Sequence, residues 1–311
     1  MKRIEVFISE GDADRRLGSL EYSELRGKEV SSFELDRDFV LHPSVGFLGP
    51  DIGLFRGKQY PVLSYGFGLF QDAAPDSWGR KIIRRREKRG NLRESDYLLG
   101  VFDLTRTGAL RFKTEGSGVF VNADGENPAP PWTTLRTLEN SSRRFDRAGA
   151  RRIPFASAMT ILGCEDRQED GNGTYIDIAG FLMQHGAKPG TDLPELWRRM
   201  AFSLLVSNTD DHLRNHGFIA ENGKWRLSPA YDLNANVKRP KSLSLELDGG
   251  VPIESIDTIV EASGYFRLGR EEANAQLERI RRAVAKWREV AVRLGISRRE
   301  QEEMSECFTR G

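Results

Sequence analysis

Cysteine is nearly absent: Cys164 and Cys307 are the only two in 311 residues, and neither has a CxxC or HxxxH neighbour. That rules out a disulfide framework and a cysteine-built zinc site, and leaves buried or idle thiols. Histidine is scarce as well, and His42 and His185 stand apart from any group of ligand residues, which excludes them from a metal cluster. Charge of one sign is not in excess. With 47 Lys and Arg against 46 Asp and Glu, the net charge of +1 gives no whole-protein attraction to nucleic acid or to an anionic membrane. Long apolar runs are missing too: none approaches the length of a membrane span, and Met1–Arg16 is too polar for a secretory signal. A cytoplasmic protein without membrane contact is expected. No internal repeat and no sizeable low-complexity segment is present.

What is there suits a folded chain, since 38% hydrophobic and 30% charged residues can build a core beneath a polar surface. Arg3–Ile8 and Gly18–Leu25 read as strands of a small mixed β unit. From Asp76 to Arg89 the pattern turns helical, with Pro75 and Asp76 as start signals and Trp78, Ile82 and Ile83 at helical spacing. The basic run Arg84–Arg89 reads as the solvated face of that helix. Gly, Asn and Pro crowd the stretch from Gly116 to Pro131, which can continue neither a helix nor a central strand. This places an N-terminal subdomain at 1–115, a linker and shortened middle region at 116–143, and a second lobe at 144–311. In that lobe Tyr175–His185 and Leu193–Val206 read as helices, the second burying Leu196, Trp197, Met200, Leu204 and Leu205. Ser242–Leu247 alternates like a strand. Glu271–Leu294 carries Leu277, Ile280, Val284, Trp287 and Leu294 on one helical stripe, expected to be core. The fold class is therefore α+β: a small N-terminal mixed β unit followed by a mainly helical lobe.

Chemistry-bearing side chains concentrate in Asn208-Thr-Asp-Asp-His-Leu-Arg-Asn-His-Gly-Phe-Ile219 and Trp225-Arg-Leu-Ser-Pro-Ala-Tyr-Asp232. Asp210 and Asn215 have four residues between them, the interval of the Asp and Asn in a kinase loop H-R-D-x-x-x-x-N. That reach lets the Asp orient or deprotonate an attacking hydroxyl while the Asn oxygen ligates magnesium beside the transferring phosphate. Magnesium then needs a further hard oxygen, and Asp232 is the candidate. Strands at Gly217–Ala220 and Lys224–Leu227, turning at Asn222-Gly223, would return Asp232 toward Asn215. In that layout Asp232 takes the place of the Asp of D-F-G. The competing reading makes Asp210 and Asp211 capping residues and Asn215 a turn support.

The run Leu196–Asn234 closely resembles the C-terminal lobe of HipA-family kinases. So do its flanks: Phe67-Gly-Leu-Phe, Pro75-Asp-Ser-Trp-Gly-Arg, Thr107-Gly-Ala-Leu-Arg-Phe112, Arg144-Phe-Asp-Arg and Phe155-Ala-Ser-Ala-Met-Thr. The resemblance implies a kinase-like C-terminal lobe and a toxin–antitoxin serine/threonine kinase that uses ATP and magnesium. It implies Asp210 as catalytic base, Asn215 and Asp232 as metal ligands, and Asn208 and His212 as residues that shape the cofactor-binding loop, with Asp211 as a supporting or substrate contact. It also implies a helix-turn-helix antitoxin as partner, through which any DNA contact would be indirect, and a protein substrate of the translation-factor kind, such as an aminoacyl-tRNA synthetase.

One departure stands out. Between Phe112 and Arg144, where the family carries a Gly-rich phosphate loop, a lysine-bearing strand and a helix with a paired glutamate, no Gly-Gly-Ala-Arg-Pro-Lys-like loop is present. No lysine on an apolar strand follows it either. The family's autophosphorylated serine belongs to that same segment. Two readings follow: an active kinase whose shortened region is compensated elsewhere, or a non-catalytic relative that serves as a binding scaffold for an antitoxin or target protein.

Overall fold

The computed structural model describes residues 1–62, 66–87, 91–123, 144–164, 173–237 and 242–308. Most of the expected linker, 124–143, lies outside the described residues. The chain divides into two compact units, Met1–Glu165 with Phe218–Lys224, and Asp166–Gly217 with Trp225–Gly311.

In the first unit five antiparallel strands, β1 (Lys2–Glu10), β2 (Ala13–Leu25), β3 (Lys28–Leu35), β4 (Lys58–Gln59) and β5 (Leu110–Thr114), are ordered β4-β3-β2-β1-β5. Both strands expected at the N-terminus are present. Alternation drives the sheet: Ile4, Val6 and Ile8 of β1, Leu20 and Tyr22 of β2, and Phe33 and Leu35 of β3 are all buried. Gly18 faces Leu35 in the ladder, and a Cβ there would sit 2.2 Å from the Glu34 carbonyl oxygen, so only glycine fits.

Several motifs of the sequence prove to be core. Phe67 and Phe70 pack edge-on against each other and against Phe33, and Phe70 also meets Phe112, with ring centroids 4.9–6.2 Å apart. Asp146 of Arg144-Phe-Asp-Arg is buried and accepts from the Gly108 amide (2.8 Å), Arg144 Nη2 (2.6 Å) and Arg147 Nη1 (2.8 Å). The two motifs are thereby joined. Ser157 caps the helix Ala158–Leu162 and is held by Asp72 through its amide and its hydroxyl, each at 2.7 Å. Helix Ser77–Glu87 starts where expected, with Asp76 Oδ1 accepting from the Gly79 amide. Its Ile83 is buried, and Arg84 and Arg85 are exposed. Residues 88 and 89 of the basic run, and the side chains of Trp78 and Arg86, lie outside what the structure describes.

A three-stranded sheet, ordered β8-β7-β6, is formed by β6 (Phe155–Ser157), β7 (Gly217–Glu221) and β8 (Lys224–Leu227). The β7–β8 turn has Asn222 and Gly223 at φ 52° and 77°, the left-handed pair that a two-residue hairpin requires.

The second unit is mainly helical. Helix α1 (Tyr175–His185) opens on a capping box between Thr174 and Asp177. Helix α2 (Pro189–Leu205) starts four residues before Leu193, because Pro189 at the first helical position has its φ already set for a helix. Leu196, Trp197, Met200, Leu204 and Leu205 are all buried, and Trp197 Nε1 donates to the Ile259 carbonyl at 2.9 Å.

Two expectations are corrected. Ser242–Leu247 is not a strand, although Leu243, Leu245 and Leu247 are buried in alternation. Its carbonyls at Glu246 and Leu247 cap the start of α1 by accepting from the Tyr175 and Ile176 amides, while the Leu243 and Leu247 amides donate to the Ile253 and Val251 carbonyls beside an isolated bridge, Asp248–Val251, without forming a ladder. The stripe from Glu271 to Leu294 is not one helix. Helix α3 (Arg270–Val284) ends, and a second helix, Trp287–Arg293, begins after a tightened turn at Ala285 and Lys286. No glycine or proline marks that break. Leu277 and Val284 are core, but Trp287 stacks on Phe308 (4.4 Å) and Leu294 is 70% exposed.

Candidate active site

The site lies in the second unit, at the end of α2. There the helix closes with the Ser207 amide on the Leu204 carbonyl and the Asn208 amide on the Ser203 carbonyl, the paired bonds of a Schellman ending. Its left-handed position, normally glycine, is Ser207 at φ 55°, held by a hydrogen bond from its hydroxyl to the Cys307 carbonyl at 2.9 Å. A second non-glycine residue in the same conformation is Asp232, also at φ 55°. Such backbone persists only where its surroundings impose it, and it concentrates at functional sites.

Main-chain and side-chain ties join the loop after α2 to the segment after β8. The Ser228 amide donates to the Gly217 carbonyl (2.8 Å), Tyr231 Oη to the Arg214 carbonyl (2.6 Å), and the Asn236 amide to the Ser207 carbonyl (3.0 Å). Asp232 is bracketed by ties to both ends of the stretch that carries Asn208, Asp210, His212 and Asn215. These ties join the segment of Asp232 to the loop that carries the other four sequence-predicted residues.

Their individual settings differ. Asn208 is fully buried: its Nδ2 donates to Ser203 Oγ, and its Oδ1 has no hydrogen-bond partner. His212 is half-buried and its Nδ1 likewise lacks a partner. Asp210 is half-buried, and its carbonyl accepts from Asn215 Nδ2 at 2.8 Å. That bond uses the nitrogen end of the amide, and the oxygen end is the one that can ligate a metal. Asp232 is exposed and accepts from Asn234 Nδ2 at 2.6 Å. Among the described residues no three His, Cys, Asp or Glu side chains converge as a complete metal cage. Magnesium can be held by only one or two protein oxygens when substrate phosphates complete its shell, and Asn215 and Asp232 are side chains of that hard-oxygen type. The partnerless oxygen of Asn208 and the pinned amide of Asn215 fit a site that receives a polar ligand.

Sequence reasoning named Asp211 as a supporting or substrate contact but missed its partners. Asp211 is buried, accepts from the Tyr175 hydroxyl and pairs with His216 Nε2 at 2.8 Å. Burial, then the charge and hydrogen bond of Asp211, push the Tyr175 phenol well above its usual range, so it stays a donor. Tyr175 lies far from Asp211 in sequence, and no local spacing could have joined them. Asp192, also missed, is buried and takes Arg226 Nε on both oxygens (3.0 and 2.8 Å), together with the Leu227 amide. Arg199 Nη2 donates to the Ser228 carbonyl at 2.6 Å. These contacts fix where β8 ends and where Asp232 begins its turn.

The fold and site define an α+β chain with a small mixed β unit and a mainly helical HipA-like lobe. The chain belongs to the family of the HipA-like C-terminal domain, which it matches over residues 130–288, just over half its length. It is 26% identical over 133 residues to Y4mE of Sinorhizobium fredii, covering 42% of this chain and 30% of that protein. It is 38% identical over 60 residues to a Haemophilus influenzae protein, covering 19% and 18%. Both relatives carry the provisional name of a kinase, and this chain spans less than a third of the length of each. A chain of the Shewanella oneidensis MR-1 toxin–antitoxin complex of HipA, HipB and operator DNA superposes with a TM-score of 0.67 at 14% identity. The match covers 99% of this chain and 95% of that one, a likeness of fold. Among the described residues no helix is long and apolar enough to cross a membrane.

Proposed function

We propose that the second unit is the phosphoryl-transfer lobe of a cytoplasmic HipA-type serine/threonine kinase. The observation that carries this reading is the bracketing of Asp232 by the Tyr231–Arg214 and Asn236–Ser207 ties, which join its segment to the loop that holds Asp210 and Asn215. Asp210 accepts the proton of a serine or threonine hydroxyl on a protein target as that oxygen bonds to the γ-phosphorus of ATP. The bond from that phosphorus to the β,γ-bridging oxygen breaks, and ADP leaves with the electron pair. Asn215 Oδ1 and the Asp232 carboxylate would hold magnesium, which supplies charge neutralisation at the phosphates. Asn208 and His212 set the shape of the cofactor-binding loop. A helix-turn-helix antitoxin is the partner, with DNA contact through the antitoxin alone, and a translation factor is the kind of substrate.

A second reading has one observation in its favour. No Gly-Gly-Ala-Arg-Pro-Lys-like phosphate loop stands between Phe112 and Arg144, and phosphoryl transfer depends on positioned phosphates. In that reading the chain is a non-catalytic scaffold for an antitoxin or target.

Calorimetric titration of Mg-ATP into the chain, alone and with its genomic neighbour, separates the two. Heat of binding that Asp232→Ala abolishes supports the kinase. Silence in every mixture supports the scaffold.

A further inference from the structure

Two braces cross the loop side by side. One runs from Asn215 Nδ2 to the Asp210 carbonyl, and the other from His216 Nε2 to the Asp211 carboxylate, each at 2.8 Å. Asp211 directly follows the residue assigned as base, and His216 directly follows the assigned metal ligand. The second oxygen of Asp211 is taken by the Tyr175 hydroxyl, from the first residue of α1. That end of α1 is itself anchored, because the Tyr175 and Ile176 amides donate to the Glu246 and Leu247 carbonyls.

We propose that Asp211 is the positioning residue of this loop. Its carboxylate, held by Tyr175 and His216, fixes the main chain beside Asp210 and Asn215 so that both point to one place. The catalytic consequence rests on the kinase reading; the mechanical one does not. A carboxylate suits this task because it is acceptor-only and can take two donors arriving from different directions. Among the described residues no lysine or arginine hydrogen-bonds this buried carboxylate, and burial of a carboxylate so held costs stability. The fold places that cost beside the two residues that need placing. The Tyr175 and His216 rings meet edge-on at 5.2 Å, so the donors also support each other.

The geometry sets the imidazole as the Nε2–H tautomer, because Nε2 faces a carboxylate while Nδ1 is buried without a partner. With only four histidines in the chain, long-range proton–nitrogen NMR can read this directly. The test compares wild type with Asp211→Asn and the gentler Tyr175→Phe. In Asp211→Asn, amide exchange across 207–217 should quicken by about tenfold or more while α1 and α2 keep their protection. ATP turnover should lose about 30-fold or more in kcat, with KM for Mg-ATP moving less than about fivefold, and Tyr175→Phe should fall between it and wild type. An Nδ1–H tautomer in wild type would overturn the proposal. So would unchanged loop exchange, or exchange that rises evenly over the whole unit as plain destabilisation would produce. Should wild type neither bind nor turn over Mg-ATP, the kinase reading fails, and the exchange and tautomer results still decide the clamp.

Discussion

Tyr231 holds Arg214: the phenol reaches from the residue before Asp232 to the carbonyl before Asn215, at 2.6 Å. The two assigned metal ligands are thus placed by their immediate predecessors. Removing the hydroxyl in Tyr231→Phe takes away one hydrogen bond worth about 1 kcal/mol, so Mg-ATP affinity should fall by about fivefold. Calorimetry on the variant checks this. Affinity equal to wild type would mean that the tie does not set the site.

The Asp192–Arg226 pair secures the strand that leads into this segment. Asp192 is 3% exposed and Arg226 21%, so truncating the acid strands a partly covered guanidinium and leaves the Leu227 amide without its acceptor. Asp192→Ala should cost about 3 kcal/mol in urea unfolding, at the lower end for a broken buried pair because Arg226 retains some water. A loss below about 1 kcal/mol would place the pair among ordinary surface bridges.

Acid should weaken the first unit through Asp146. Burial raises its pKa, but the hydrogen bond and charge of Arg144, with Arg147 and the Gly108 amide, outweigh burial and hold the carboxyl below the usual carboxylate range. A depressed carboxyl stabilises the fold fully above the unfolded value and loses that contribution as pH falls below it, because the unfolded chain then binds more protons. The stability gap between wild type and Asp146→Asn should be about 2 kcal/mol near neutrality and shrink below about pH 4. Unfolding curves at stepped pH measure it, and a gap that widened in acid would mean that the Asp146 carboxyl is raised in the fold, not lowered.

The sequence was readable where local pattern and structure have the same cause. Alternating apolar residues made β1 and β2 visible, Asn222-Gly223 announced its hairpin, and the stripe on α2 predicted its buried face. Ser242–Leu247 misled because alternate burial is only half of a strand: the other half is a continuous partner ladder, and here the backbone groups are divided between the start of α1 and single bonds to Val251 and Ile253. The break after Val284 was invisible because no glycine or proline marks it, and the contact that follows it, Trp287 stacked on Phe308, joins residues distant in sequence. At the site, Asp210, Asn215 and Asp232 could be named from spacing and family resemblance. Their support from Tyr175, Asp192 and Arg199 could not, since each reaches the loop through tertiary contact alone.

Asp210 and Asp232 have separable tasks, and substitution should divide them. Asp232→Ala removes an assigned metal oxygen and should abolish nucleotide binding. Asp210→Asn keeps the side-chain volume and leaves the main-chain carbonyl that receives Asn215 Nδ2 in place, so the brace at 2.8 Å survives. Mg-ATP affinity of Asp210→Asn should therefore stay within about threefold of wild type, while phosphoryl transfer drops by about 100-fold or more, the range for removing a general base. The pair of measurements is calorimetric affinity and phosphate transferred per unit time. Equal loss of binding in both variants would mean that Asp210 serves the nucleotide rather than the hydroxyl, and the base would have to be sought elsewhere in the loop.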